Sequence, residues 1–169
     1  MLALVALGLS LVSAAPAGEQ YPEVIPGPGL PSLSELGLTS AELYQLPVPK
    51  LPSADDTLSV LYNPVCGPED KRYTNVNGII ACYHYLNNLG TQNCRIDREI
   101  SHFCYAGDAT ILGQARLLHG ASSYCRDVAN AVLWTIDHCT RPDQSCAGIQ
   151  AAYGNGDLLV ASGTRRFYG

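Results

Sequence analysis

Changes in the spacing of apolar residues mark the boundaries along this chain. Leu2 to Val12 is an apolar run rich in Leu, Val and Ala, followed by the small residues Ser13, Ala14, Ala15 and Ala17. This is the pattern of a secretory signal peptide over residues 1–17, with cleavage between Ala14 and Ala17. The run is too short to span a bilayer, which takes about 20 apolar residues. No Lys or Arg precedes it, so only the amino terminus supplies positive charge, which is off-pattern for a signal peptide. From 18 to 72 the apolar residues lose their period. Eight of the eleven prolines lie between Pro16 and Pro52, and the segment reads as a mostly disordered, proline-rich leader or pro-segment. The exception is Ser32 to Leu46, where Leu33, Leu36, Leu43 and Leu46 predict a short, weak helix starting at Ser32 or Ser34.

Beyond Arg72 the spacing becomes that of a folded domain, over residues 73–163. Ile79, Cys82, Leu86 and Leu89 recur at helical intervals and predict a helix capped by Asn77 and stopped by Gly90. Asn93 to Arg98 is short and extended. His102–Ala106 and Ala109–Gln114 flank Gly107-Asp108 and read as a strand pair. Cys125, Val128, Ala129, Val132, Ile136 and Cys139 fall on one stripe of a second helix beginning near Ser122 or Ser123. At about 100° per residue Cys125 and Cys139 end roughly 40° apart, so both thiols face the core. Ala147–Tyr153 and Asp157–Gly163 flank Gly154-Asn155-Gly156 and predict a hairpin turning at Asn-Gly. Residues 164–169 read as a frayed tail. The resulting order, α-β-β-α-β-β, predicts an α+β fold: a two-layer sandwich with two helices on one face of an antiparallel sheet.

Cysteine placement sharpens this layout. All seven cysteines lie from Cys66 onward, and in an exported domain such density reads as a disulfide framework. No C-x2-C pair exists, and the histidines do not fall in ligand spacing, which argues against zinc. Cys82, Cys94, Cys104, Cys125, Cys139 and Cys146 would make three bridges, leaving Cys66 free or removed. The Lys71-Arg72 pair resembles the dibasic sites of secretory processing, and a cut there would separate Cys66 from the other six. If Cys66 were bridged to the domain, the cut would not release the leader.

Charge excludes some partners. Residues 1–72 carry eight acidic and three basic groups, whereas seven Arg balance seven Asp and Glu from Tyr73 onward. A neutral domain lacks the basic stripe that nucleic acid binding requires, and cationic attack on an anionic membrane is disfavoured for the same reason. No G-x-S-x-G, H-E-x-x-H, Walker or Rossmann pattern appears, so no enzyme activity, cofactor or metal is expected. Asp137-His138 are adjacent on a helix and diverge by about 100°, so they do not form an acid–base pair. Trp134, the only tryptophan, points to the margin of its helix stripe, and with Tyr83 and Tyr85 it is the candidate binding surface.

The segments I-I-A-C-Y-H-Y-L, H-F-C-Y-A-G, C-R-D-V-A-N-A-V-L-W and G-N-G-D-L-L-V, behind an S-A-A-P-A exit, resemble in layout the small secreted cysteine-rich proteins of filamentous fungi. The layout is similar to that of the necrosis-inducing effector domain family and of the α/β-sandwich killer toxins. That resemblance implies a secreted, extracellular effector or toxin-like virulence protein acting by binding on a host or competitor protein, without stable membrane insertion. The alternative is an extracellular module that binds cell-wall glycan.

Overall fold

A computed structural model describes residues 20–50 and 62–168. The predicted signal peptide lies outside the described residues. In chain order the elements are β1 (Val24–Pro26), α1 (Ser40–Gln45), β2 (Val65–Cys66), β3 (Thr74–Asn75), α2 (Val76–Asn88), β4 (Asn93–Ile96), β5 (Ile100–Ala106), β6 (Ala109–Ala115), β7 (Ala121–Tyr124), α3 (Cys125–Cys139), β8 (Ser145–Cys146), β9 (Gly148–Ala152), β10 (Asn155–Thr164) and α4 (Arg165–Tyr168). The fold is α+β. Its main sheet has six antiparallel strands in the order β1-β5-β6-β10-β9-β2, and two small ribbons pair β3 with β8 and β4 with β7.

The core lies between the sheet and the helices α2 and α3. Ile79, Tyr85 and Leu86 of α2 and Val128 and Val132 of α3 are completely enclosed with Ile111, Leu158 and Val160 of the sheet. The α2 stripe is the predicted one. Asn75 rather than Asn77 caps this helix, its side chain accepting from the Asn77 amide at 2.9 Å. Ser122 and Ser123 do not cap α3 but lie in β7, paired with Arg95 and Cys94. The amides that a cap would satisfy are taken by loop carbonyls instead: Cys125 donates to Gln92 O at 2.9 Å and Arg126 to Gly90 O at 3.0 Å. The last hairpin is also displaced. Asn155 already pairs with Ala152, so the turn is Tyr153-Gly154, with Gly154 at φ 71°. Asn155 serves as a tie, donating from Nδ2 to Ser122 O at 2.8 Å and accepting from the Asp157 amide at 3.0 Å.

The leader expected to be mostly disordered is built into the fold over residues 20–50. β1 adds to the edge of the sheet in register with β5, from Val24 opposite Ala106 to Pro26 opposite Cys104. The prolines that seemed to forbid structure suit this place, because an edge strand tolerates a residue without an amide hydrogen. Ser32 opens only a turn that ends at Gly37, and the helix starts at Ser40 instead. Thr39 and Glu42 form a reciprocal cap there: the Thr39 amide donates to Glu42 Oε2 at 2.7 Å, and the Glu42 amide to Thr39 Oγ1 at 3.2 Å. The segment is held by Leu43, which is 1% exposed, and by the Tyr85 hydroxyl donating to Pro31 O at 2.7 Å. The folded unit therefore does not begin at Tyr73. Nor does it end at Gly163, since Thr164 completes β10 and the Arg165 amide donates to Asp108 O at 2.7 Å.

These contacts make the early segment part of the stability of the whole. Leu43→Ala is expected to cost about 2–4 kcal/mol, as for other large-to-small changes at enclosed positions. Urea unfolding would show this as a lower midpoint in a single transition. An unchanged midpoint would mean that residues 20–50 do not contribute to the fold.

Candidate functional site

The cysteine pairing differs from the expected one. Cys82 of α2 is bonded to Cys104 of β5, Cys94 of β4 to Cys125 of α3, and Cys66 of β2 to Cys139 of α3, with Cα separations of 5.7, 5.0 and 5.2 Å. Cys146 is the free thiol, and it is fully buried. Cys66 therefore belongs to the framework. Register decides this: Cys66 lies opposite Gly148, and a Cβ on Gly148 would lie 3.1 Å from Cys139 Sγ. Only a residue without a side chain leaves room for the sulfur.

The proposed aromatic surface does not assemble. Tyr85 is wholly enclosed and Tyr83 is 9% exposed, because α2 is covered around most of its circumference, not on one stripe alone. Trp134 is half-buried and stacked on His138, one helical turn on, with ring centroids 4.5 Å apart. Asp137 Oδ2 stands 3.7 Å from His138 Nδ1, but that nitrogen is 3.0 Å from Trp134 O within the helix. Among the described residues no group of three or more His, Cys, Asp or Glu could hold a metal ion.

The dibasic pair sits in a tight turn over Asp70–Arg72. Lys71 is exposed and its Nζ lies 2.9 Å from Glu69 Oε2. The Arg72 side chain is mostly covered, its guanidinium 3.9 Å from the centre of the Phe167 ring. The residue a dibasic protease would have to grip is thus held under an aromatic ring.

The most exposed apolar side chains among the described residues include a pair in the loop from Arg116 to Gly120, between β6 and β7. Leu118 is 81% exposed and Leu117 50%. This loop starts where the Ala115 amide donates to Glu99 O and the Arg116 amide to Asp157 O, both at 2.9 Å. It ends at Gly120, whose φ of 79° and close approach to the Ile96 carbonyl exclude any larger residue. The ribbon beneath it, β4 with β7, is fixed to the helical layer by Cys94–Cys125. A rigid base thus carries an apolar tip. A shallow cleft of about 240 Å³ adjoins it, lined by Arg95, Ile96, His119, Gly120, Ala121 and Ser122. Ile100, 55% exposed, begins the strand beside the loop.

Register also sets rows of uncharged residues along the sheet face turned from the helices. Cys104 and Cys66 face the helices, so the adjoining cross-strand row, Val65, Ile149, Ala161, Leu112 and His102, faces away from them. A second row holds Ala151, Leu159, Gln114 and Ile100. Neither row contains a charged residue. Val65 and Ile100 are exposed at the rim, whereas Leu112 and Ala161 at the centre are buried. The outward face of an antiparallel sheet is ordinarily polar, so this one departs from the rule. Sequence reasoning missed the tip. The available signal was a pair of adjacent leucines, fitting neither a helical nor an alternating period, between Arg116 and His119-Gly120.

The pairing of Cys66 fixes what a processing cut would do. Folded protein treated with a dibasic-specific protease is expected to be cut slowly after Arg72. Any cut product should run as one species without reductant and as two after reduction. Release of residues preceding Tyr73 without reductant would contradict the Cys66–Cys139 bridge.

No curated protein matches the chain, and no solved structure matches it. A family model does match, over residues 63–162, starting ten residues ahead of Tyr73 and taking in β2 through most of β10. That match covers more than half of the chain, and the protein belongs to the family described as a domain of unknown function, DUF8794.

Proposed function

We propose that this chain is a secreted extracellular binding protein of the effector or toxin-like type, which docks its apolar end on a host or competitor protein and performs no catalysis. The observation that carries the reading is the Leu117-Leu118 tip, exposed on a ribbon that a disulfide holds rigid. A buried leucine contributes about 2 kcal/mol relative to an exposed one, and two adjacent leucines left in water forgo that gain. Exposed apolar patches on otherwise stable domains mark interaction sites, and binding residues concentrate on loops carried by rigid scaffolds. Three disulfides and a signal-like amino terminus support an oxidising, extracellular setting. Among the described residues no helix is long and apolar enough to cross a membrane.

The experiment is the addition of purified protein to challenged cells, with wild type compared against the double variant Leu117→Ser, Leu118→Ser. Both positions are exposed, so stability should change by no more than about 0.5 kcal/mol. The potency of wild type in impairing growth or viability should fall about ten-fold in the variant, which corresponds to about 1.4 kcal/mol of lost binding. Equal potency of the two proteins would sink the reading. So would retention of wild type on chitin or glucan that Trp134→Ala abolishes and the leucine variant leaves intact; that outcome favours the glycan-binding alternative.

A further inference from the structure

Residues 20–50 fill a groove between two elements of the domain. One wall is the edge of β5, where β1 adds as the outermost strand of the sheet. The other is the flank of α2, on which α1 packs. The segment has the features of a bound peptide. Val24 is buried and its amide donates to Ser40 Oγ at 2.9 Å, whereas Ile25 turns outward and is exposed. Gly27 donates its amide to the Phe103 carbonyl at 2.9 Å, and a Cβ there would run into the His102 carbonyl. Leu30, Leu33, Leu36 and Leu38 then pack against the core. The Tyr85 hydroxyl and His84 Nε2 reach the carbonyls of Pro31 and Pro47 at 2.7 and 3.1 Å. Glu35 and Glu42 are bonded within the segment, to Ser32 and Thr39. No disulfide retains these residues, because the cysteines begin at Cys66. The family match likewise starts after them, at residue 63. Lys50, exposed and outside helix and strand, is the only basic residue ahead of Lys71.

We propose that the β5 edge and the α2 flank form a peptide-binding groove, which residues 20–50 fill as a built-in ligand and which cleavage after Lys50 opens to an extended segment of another protein. That segment has the pattern of the one it replaces: an aliphatic residue in the place of Val24, Pro-Gly in the places of Pro26 and Gly27, and leucines beyond. A protease of trypsin-type specificity supplies the cut. Water adds across the peptide bond, leaving a carboxylate on Lys50 and an amine on the residue after it. While the chain is whole, the built-in segment is held at an effective concentration of about a millimolar and displaces any free peptide. Once cut, it is an ordinary non-covalent ligand that a competing strand can replace. Strand addition gives the newcomer its main-chain bonds, and the Val24 and Gly27 positions give selectivity. A cut after Arg72 would do none of this, because Cys66–Cys139 would retain the preceding chain. The groove stands by the β5–β6 turn, whereas the Leu117-Leu118 loop follows the other end of β6, so the two surfaces are separate.

The rival account is that residues 20–50 are a fixed part of the core that nothing can replace. Brief trypsin treatment of the folded full chain is expected to cut first after Lys50, read by intact mass, and to leave a folded domain by circular dichroism. A fluorescein-labelled peptide of residues 20–50 should then bind the cut protein saturably. Uncut protein and the cut-resistant variant Lys50→Gln should take it up about ten-fold less well or worse. Peptides carrying Val24→Asp or Gly27→Val should bind about ten-fold more weakly than the unaltered peptide, or worse, since one buries a charge and the other meets a carbonyl. The Ile25→Ser peptide, altered at an outward position, should bind within about two-fold of it. Equal binding of the Gly27→Val peptide would mean plain apolar adhesion and would overturn the proposal. So would first cleavage elsewhere, equal uptake by cut and uncut protein, no uptake of label, or unfolding of the domain once the bond is cut. The peptide variants leave the protein itself unaltered and so separate the two accounts without a variant that must fold.

Discussion

Each of the three disulfides joins a helix to a strand, and the remaining structure depends on that arrangement. Cys82–Cys104 fixes the middle of α2 to β5 inside the main sheet, and Cys94–Cys125 fixes the first residue of α3 to the β4–β7 ribbon. Cys66–Cys139 fixes the last residue of α3 to the opposite edge of the sheet. A core between one sheet and two main helices is thin, and a bridge contributes about 2–4 kcal/mol by restricting the unfolded chain. Here the bridges also set orientation. With both of its ends tied, α3 cannot slide along the sheet without strain at one sulfur pair or the other.

That constraint explains why an apolar tip is tolerable. The loop from Arg116 to Gly120 begins on backbone bonds from Ala115 and Arg116 and ends against the Ile96 carbonyl. The ribbon under it is tied to α3, so the exposed leucines add nothing to a folding problem solved elsewhere. Tip and core are held apart by the same elements that join them. Binding chemistry placed on such a loop can vary without disturbing the packing below it.

Much of this was legible in the sequence because the main helices and the β5–β6 hairpin obey simple periods. Ile79, Cys82 and Leu86 mark the buried face of α2, Cys125 to Cys139 mark that of α3, and the β5–β6 turn at Gly107-Asp108 stands where expected. What failed to show was tertiary. The partner of Cys66 is chosen by strand register opposite Gly148, which no spacing of cysteines contains. Tyr83 and Tyr85 looked like a surface because tyrosine tolerates water, yet α1, from the segment thought to be disordered, helps to enclose their helix. The prolines misled for a related reason: they forbid helix and central strand but not an edge strand, and β1 is an edge strand. The exposed Leu117-Leu118 tip lay in a stretch without period, where pattern reading has least to offer.

The position of β1 and β2 has a consequence for how the protein behaves in crowded surroundings. They are the two outermost strands of the main sheet, and both come from chain that precedes α2. The four strands between them, β5, β6, β10 and β9, all follow α2. Without the early segment, those four would present two open rows of amides and carbonyls, each a template for another copy's strand. The segment that reads as a leader thus acts as a pair of bookends. A shortened chain starting at Tyr73 would keep α2, α3 and two of its bridges, yet face its neighbours with both covers gone. Self-association through those edges would then accompany the loss of stability.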